Sequence, residues 1–267
     1  MKVVTYIAQF LKAKGIDTVF ELQGGMITRI IDELYREGDI TIVSMHHEQA
    51  AAFAADAYAR VKNKPGVALA TSGPGATNLI TGIGNCYFDS VPAIFITGQV
   101  NLNEQKGDRA IRQLGFQETD IVSIVKPITK AAYAITSADQ IPIVLDEAYR
   151  LCMEGRQGPV LIDLPMNLQH AVCADQLILT KPQKPVTNNT ALENYITRFT
   201  QAYQQCNKPL ILAGRGVRTS GCMDKMIQLS EHWNIPVLTS LNGLDTIPFN
   251  HANRVGFIGS YGNRWAN

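Results

Sequence analysis

Three stretches of this chain constrain its fold most: Val67 to Thr71, Ala93 to Thr97 and Pro159 to Leu164 are apolar runs without polar alternation. A strand that is apolar on both faces must be covered on both faces, so these runs call for a parallel sheet sandwiched between helices. The segments between them have helical spacing. Ile7, Ala8, Phe10 and Leu11 recur over residues 5–14, with Gly15 as a stop. Ile27, Ile30, Ile31 and Leu34 form a second helical face that opens after Gly24 and Gly25 and ends at Gly38. Shorter strands are expected at residues 18–20 and 40–43. Helices are expected at residues 47–60, where alanine dominates, at 76–86 and at 141–153. The fold class is α/β, a parallel sheet with helices on both faces, and such sheets place ligands at the carboxyl ends of their strands.

From Leu177 to Ala191 the composition shifts to Thr, Lys, Pro, Gln and Asn, with Pro182 and Pro185 stiffening the stretch, which reads as a linker. Beyond it a helix at 192–204, a strand at 209–213, a turn at Gly214, Arg215 and Gly216, a helix at 223–233 and a strand at 237–240 follow. Two strands and two helices are too few to close a doubly wound domain, so the second unit reads as truncated at Asn267.

Charge narrows the functional classes. The 24 basic and 23 acidic residues leave a net charge of +1, which provides neither a nucleic-acid footprint nor a basic face for anionic lipid. Five scattered cysteines (Cys86, Cys152, Cys173, Cys206, Cys222) have neither zinc spacing nor the look of a disulfide framework. The N-terminal residues lack a signal-peptide core, and no apolar run approaches the roughly 18 residues of a membrane span. The expectation is a cytoplasmic protein with a small-molecule ligand, no nucleic acid and no membrane.

Glu48 follows the second strand at the mouth of the alanine-rich helix. By position alone it is either a first-turn acid matched to the helix dipole or a carboxylate held at the ligand edge of the sheet. His46 and His47 are adjacent and have no third ligand at metal spacing, which favours helix-entry histidines over a metal site. Thr71 to Asn78 is a strand, a tight turn and a helix start, equally readable as structure or as a ligand-facing loop. Phe116 to Asp120 reads as a solvated loop or cap, or as part of a site. Gly214 and Gly216 alone suit a βα turn, and no acidic ribose partner stands at dinucleotide spacing.

The combination and order of these features carry more than any one of them. HHEQAA (His46 to Ala51), SGPGATN (Ser72 to Asn78), FQE (Phe116 to Glu118) and GPVLIDLP (Gly158 to Pro165) together resemble the thiamine-diphosphate-dependent enzymes, most closely the acetolactate synthase group, over essentially the whole chain. The resemblance implies a pyrimidine-binding domain over residues 1–170, a linker at 171–190 and part of a Rossmann-like central domain over 191–267. It implies a carboligase or lyase acting on a 2-oxo acid such as pyruvate. A decarboxylase of the same family, or a non-catalytic regulatory or dimerisation chain, is the alternative.

In that frame Glu48 is the acid at the aminopyrimidine nitrogen, helping the cofactor become a carbon nucleophile. Gly25, Thr71, Pro74, Asn78 and Gln117 bind the cofactor, and Met26, Phe116 and Met166 lie near the substrate. The resemblance further implies Mg2+ holding the diphosphate in a C-terminal domain beyond these residues, FAD as a further candidate, and a homodimer or homotetramer. This chain alone is then expected to be inactive. Two departures stand out. Leu22, Gln23, Gly24, Gly25, Met26 replaces the group's usual Tyr-Pro-Gly-Gly-Ala, and Met166 stands where a lysine is usual.

Overall fold

The computed structural model describes residues 1–180 and 189–267, which fall into two compact units, Met1–Pro182 and Gln183–Asn267. Pro182 and Pro185, central to the stretch read as a linker, lie outside the described residues. Residues 171–180 are described, and they are tied to the first unit: Cys173 donates to Met1 O, Ile178 N–H to the Tyr6 hydroxyl and Thr180 N–H to Asp146.

In the first unit α1 (Val3–Ala13), β1 (Thr18–Glu21), α2 (Thr28–Glu37), β2 (Thr41–Ser44), α3 (Glu48–Lys62) and β3 (Gly66–Ala70) follow one another. Then come α4 (Pro74–Asn78), α5 (Ile80–Asp89), β4 (Ala93–Gln99), α6 (Ile121–Val125), β5 (Ala131–Ala134), α7 (Gln140–Met153) and β6 (Pro159–Pro165). The strands form one six-stranded sheet in the order β2-β1-β3-β4-β6-β5, every neighbouring pair parallel. The three runs that most constrained the sequence became β3, β4 and β6, three of the four inner strands, buried at every residue.

Alternation along these strands sorts the core into two layers. Val67, Leu69, Ile94, Ile96, Val160 and Ile162 pack with residues of α1, α2 and α7 on one face. Ala68, Ala70, Phe95 and Leu161 pack with α3, α5 and α6 on the other. The second layer is thin because it is built of alanine: Ala51, Ala52, Ala55 and Ala59 line α3, and Gly66 lets the backbone of Ala55 sit directly against β3. This close approach explains the alanine-rich composition of α3 and sets its first residue, Glu48, near the sheet edge.

The expected helix at residues 76–86 is instead two, α4 and α5, divided at Leu79. Pro74 begins α4 because a helix's first position has no N–H to lose. Two strands escaped the sequence reading. β5 is a four-residue edge strand of alanines and one tyrosine, and β9 (Arg254–Phe257) carries a glycine. Neither has the apolar run or clean alternation that marks a strand.

In the second unit α8 (Asn189–Gln204), β7 (Ile211–Ala213), α9 (Arg215–Thr219), α10 (Met223–Trp233), β8 (Val237–Thr239) and β9 form a parallel three-stranded sheet in the order β7-β8-β9 with its helices. The expectation of two strands is therefore corrected to three. Ala213, Met226, Val237 and Ile247 form its small core. The Phe199 and Tyr203 rings of α8 stack on Trp233 of α10, with centroids 5.8 and 4.3 Å apart.

Candidate functional site

From β1 the chain first steps outward to β2 and then returns to β3 on the other side of β1. The connections after β1 and β3 therefore lead to opposite sides along the sheet, which makes the carboxyl end between these two strands the position at which open α/β sheets bind ligands in a crevice. The loop after β1, the entry to α3 and the turn after β3 meet here, and the segment leaving β4 joins them.

Glycine lets them meet. A Cβ on Gly24 would stand 2.5 Å from Cβ of Thr71, and one on Gly75 would stand 2.8 Å from Thr71 Cγ2 and 3.2 Å from Glu48 Oε1. A Cβ on Gly73 would stand 2.7 Å from Cβ of Gln117. Gly73 has φ +66°, and Gln117 against it has φ +60°, a conformation that costs a non-glycine residue about 1 kcal/mol or more. Gly25 is the exception: a Cβ there would meet nothing within 4 Å, so open space lies beside its backbone.

Glu48 is the first residue of α3 and only 7% exposed. His47 caps the helix, its Nδ1 accepting from Gln49 N–H at 3.1 Å, so this histidine has a structural task. The Glu48 carboxylate is held by one bond: Asn78 at the end of α4 donates from Nδ2 to Oε2 at 2.9 Å. No described residue donates to Oε1, the oxygen that faces Gly75. The result is a fixed carboxyl with one oxygen uncommitted.

The sequence-derived residues fall into two groups. Gly25, Glu48, Thr71, Pro74, Asn78 and Gln117 come from the segments that converge on the crevice, with Pro74 exposed at the start of α4. Phe116 precedes Gln117 and is 75% exposed. Met26 is pinned through its backbone, its N–H donating to Thr71 Oγ1 at 3.3 Å and its carbonyl accepting from Gln169 Nε2 at 2.6 Å. Met166 lies in the turn after β6, where its carbonyl accepts from Arg29 Nη1 at 3.1 Å, and no contact among the described residues joins it to Glu48.

Sequence reasoning missed Gly24, Gly75 and Gln169. The doubled glycine was visible, but only packing shows that Gly24 bears the close contact and Gly25 faces open space. Nothing in the sequence marks Gln169, which is fully buried and braces the Met26 carbonyl.

Three features of these segments are uncommitted: the open space beside the Gly25 backbone, one carboxyl oxygen of Glu48 and the buried Ser72 hydroxyl. No helix among the described residues is long and apolar enough to cross a membrane.

The family described as thiamine pyrophosphate enzyme, N-terminal TPP binding domain, matches residues 1–124, and the family's central domain matches residues 196–267. The acetolactate synthase isozyme 3 large subunit of Escherichia coli is 36% identical over 98% of this chain and 45% of its own length. The large subunit from Haemophilus influenzae is 35% identical over the same shares. The acetolactate synthase of Arthrospira platensis is 38% identical over 96% of this chain and 45% of its own length. The chain thus spans about 45% of the length of the curated relatives it matches. With a parallel α/β sheet and with the family's N-terminal and central domain patterns both matched along it, the chain belongs to the thiamine pyrophosphate enzyme family and is similar over nearly its whole length to acetolactate synthase large subunits.

Proposed function

We propose that the first unit is the pyrimidine-binding part of a thiamine-diphosphate-dependent carboligase or lyase that acts on a 2-oxo acid such as pyruvate. The observation that carries this reading is Glu48: buried, oriented by Asn78, and left with one free oxygen beside a glycine-walled crevice. When bound, thiamine diphosphate supplies the carbon nucleophile for the substrate's keto group and the electron sink for loss of carbon dioxide.

The chain's own residues prepare the site. Asn78 fixes the rotamer of Glu48, so Oε1 can hold or release a proton at one position, as general acid–base chemistry requires. Gly25 leaves room for a ring, while Thr71, locked onto Gly24 and the Met26 N–H, sets the depth of the crevice. Gln117, held in its unusual conformation over Gly73, brings the segment after β4 against the turn after β3. Phe116 is placed to exclude water once a ligand and a partner surface are present. Mg2+ for the diphosphate, a homodimer or homotetramer, cytoplasmic residence and FAD as a further candidate ligand of the second unit complete the proposal, on the resemblance of the sequence motifs alone.

Exchange of the cofactor's C2 proton, followed by NMR on the complete gene product, tests the assignment. Glu48→Gln is expected to slow exchange by about a hundredfold or more, and an unchanged rate would remove Glu48 from this role. Product analysis with pyruvate, with and without an aldehyde acceptor, separates carboligation from simple decarboxylation.

A further inference from the structure

A second hollow lies farther along the same carboxyl edge, where β4, β6 and β5 end. It has a volume of about 260 Å³ and is lined by Gln99, Lys106, Arg112, Thr119, Asp120 and Asp163 among others. That is below the usual range for sites that take drug-sized ligands, and it suits a molecule of a few heavy atoms.

The charges around it are unevenly committed. Asp163 accepts from Thr97 Oγ1 at 2.6 Å and from Gln99 Nε2 at 2.8 Å. Glu118 accepts from the backbone N–H groups of Lys106 and Leu114, both at 2.7 Å, one on each oxygen. Asp120 caps α6 through Oδ1, accepting from Ser123 N–H at 3.0 Å. The two cations are different: among the described residues neither the Lys106 ammonium nor the Arg112 guanidinium has a hydrogen-bond or ion-pair partner. Asp163 and Glu118 have both oxygens bonded by the protein and Asp120 has one, whereas the two bases have no protein partner among the described residues.

The Glu118 clamp makes this more than two surface cations. By holding amides eight residues apart, it folds residues 106–114 into a closed loop over the hollow, so that both bases lie on its lining. A carboxylate accepting two backbone N–H bonds is a strong, directional tether. Burial, with added repulsion from Asp120, also pushes the Asp163 carboxyl up to about 6, which lowers the negative charge on the floor as pH falls.

We propose that this hollow binds a small anion, a carboxylate or a phosphate group, between Lys106 and Arg112 above the polar floor of Gln99 and Thr119. None of the residues assigned to the Glu48 crevice lines this hollow, so its binding of an anion does not require the cofactor.

The test is a calorimetric titration of the complete gene product at pH 6, without thiamine diphosphate, using acetate, pyruvate and inorganic phosphate as probes. Saturable binding of at least one probe is expected. Saturation by acetate and pyruvate alone identifies an organic-acid site, and saturation by phosphate alone identifies a phosphoryl site. The double variant Lys106→Gln, Arg112→Gln should weaken binding by at least about tenfold. Glu118→Gln, which removes one of the two clamp acceptors, should weaken it severalfold and speed amide exchange at Lys106 or Leu114. Glu48→Gln should leave it unchanged, so failure of the cofactor assignment and failure of this site are told apart. Absence of saturation by all three probes, or equal affinity in the double variant, overturns the proposal.

Discussion

The two hollows on the carboxyl edge of the six-stranded sheet are built by opposite means. The crevice between β1 and β3 is made by removing side chains: Gly24, Gly73 and Gly75 let three loops touch, and one carboxyl oxygen of Glu48 is left uncommitted. The hollow beyond β4 and β6 is made by adding them, with long charged side chains on a loop held by Glu118 and a floor of bonded polar groups. The proposed ligands follow this difference: a flat ring with a hydrogen-bonding edge for the first, a small anion for the second. One sheet edge can thus carry two chemistries, because each loop is free to vary while the strands beneath it are fixed by burial on both faces.

This contrast can be broken at single residues. The largest effect is expected at Gly24→Ala, whose new Cβ would stand 2.5 Å from Thr71 Cβ, so backbone must move. Overpacking of that kind should lower unfolding stability by about 3 kcal/mol, measured by denaturant titration.

Next in size is the effect of pH on the second hollow. Asp163 has its folded value raised to about 6, chiefly by burial, while the unfolded chain keeps the ordinary 3.8. Below the ordinary value both states are protonated and the group contributes no difference. Between the two values the unfolded state ionises while the folded state holds its proton, so stability falls as pH rises from about 4 to about 6 and stays lower above. The loss is on the order of 2–3 kcal/mol. NMR titration of the Asp163 carboxyl checks the midpoint, and a value in the usual carboxylate range would refute the desolvated floor.

A smaller and more diagnostic effect is expected at Gly75→Ala, because the nearest atom to the new Cβ is Thr71 Cγ2 at 2.8 Å. The loss should be about 1–2 kcal/mol. Combining it with Thr71→Ser, which deletes that methyl and keeps the hydroxyl for Met26 N–H, should restore part of the loss. A double-mutant cycle with no coupling would show that the contact is not what limits this site.

The smallest effect belongs to Gly25→Ala. Its Cβ meets nothing within 4 Å, so stability should change by no more than about 0.5 kcal/mol. Neighbouring glycines thus answer the same substitution in different ways. If the open space beside Gly25 holds the pyrimidine ring, this near-neutral variant should still weaken cofactor binding to the complete gene product, as measured by calorimetry.

Much of the first unit was legible in advance. The runs at β3, β4 and β6 gave a parallel sheet because predominantly apolar sequence without alternation can be satisfied only by cover on both sides. β5 and β9 were not legible, since a short, half-exposed edge strand needs no such pattern. At the candidate site, Glu48 and the Thr71 to Asn78 turn were marked by their order along the chain. The Glu48–Asn78 hydrogen bond spans 30 residues, the Gln99–Asp163 bond 64 and the Gln169 bond to Met26 143. No local pattern encodes contacts at such separations.

The sequence by itself therefore determined the α/β class, the succession of strands and helices in the first unit and the chemistry available at the turns, because these follow from local periodicity and residue type. Only the tertiary structure decided which glycine bears the contact, which oxygen of Glu48 is free and which cations lack partners. Those are outcomes of packing between segments far apart in the chain, where a few tenths of an ångström and one committed hydrogen bond separate a structural residue from a reactive one.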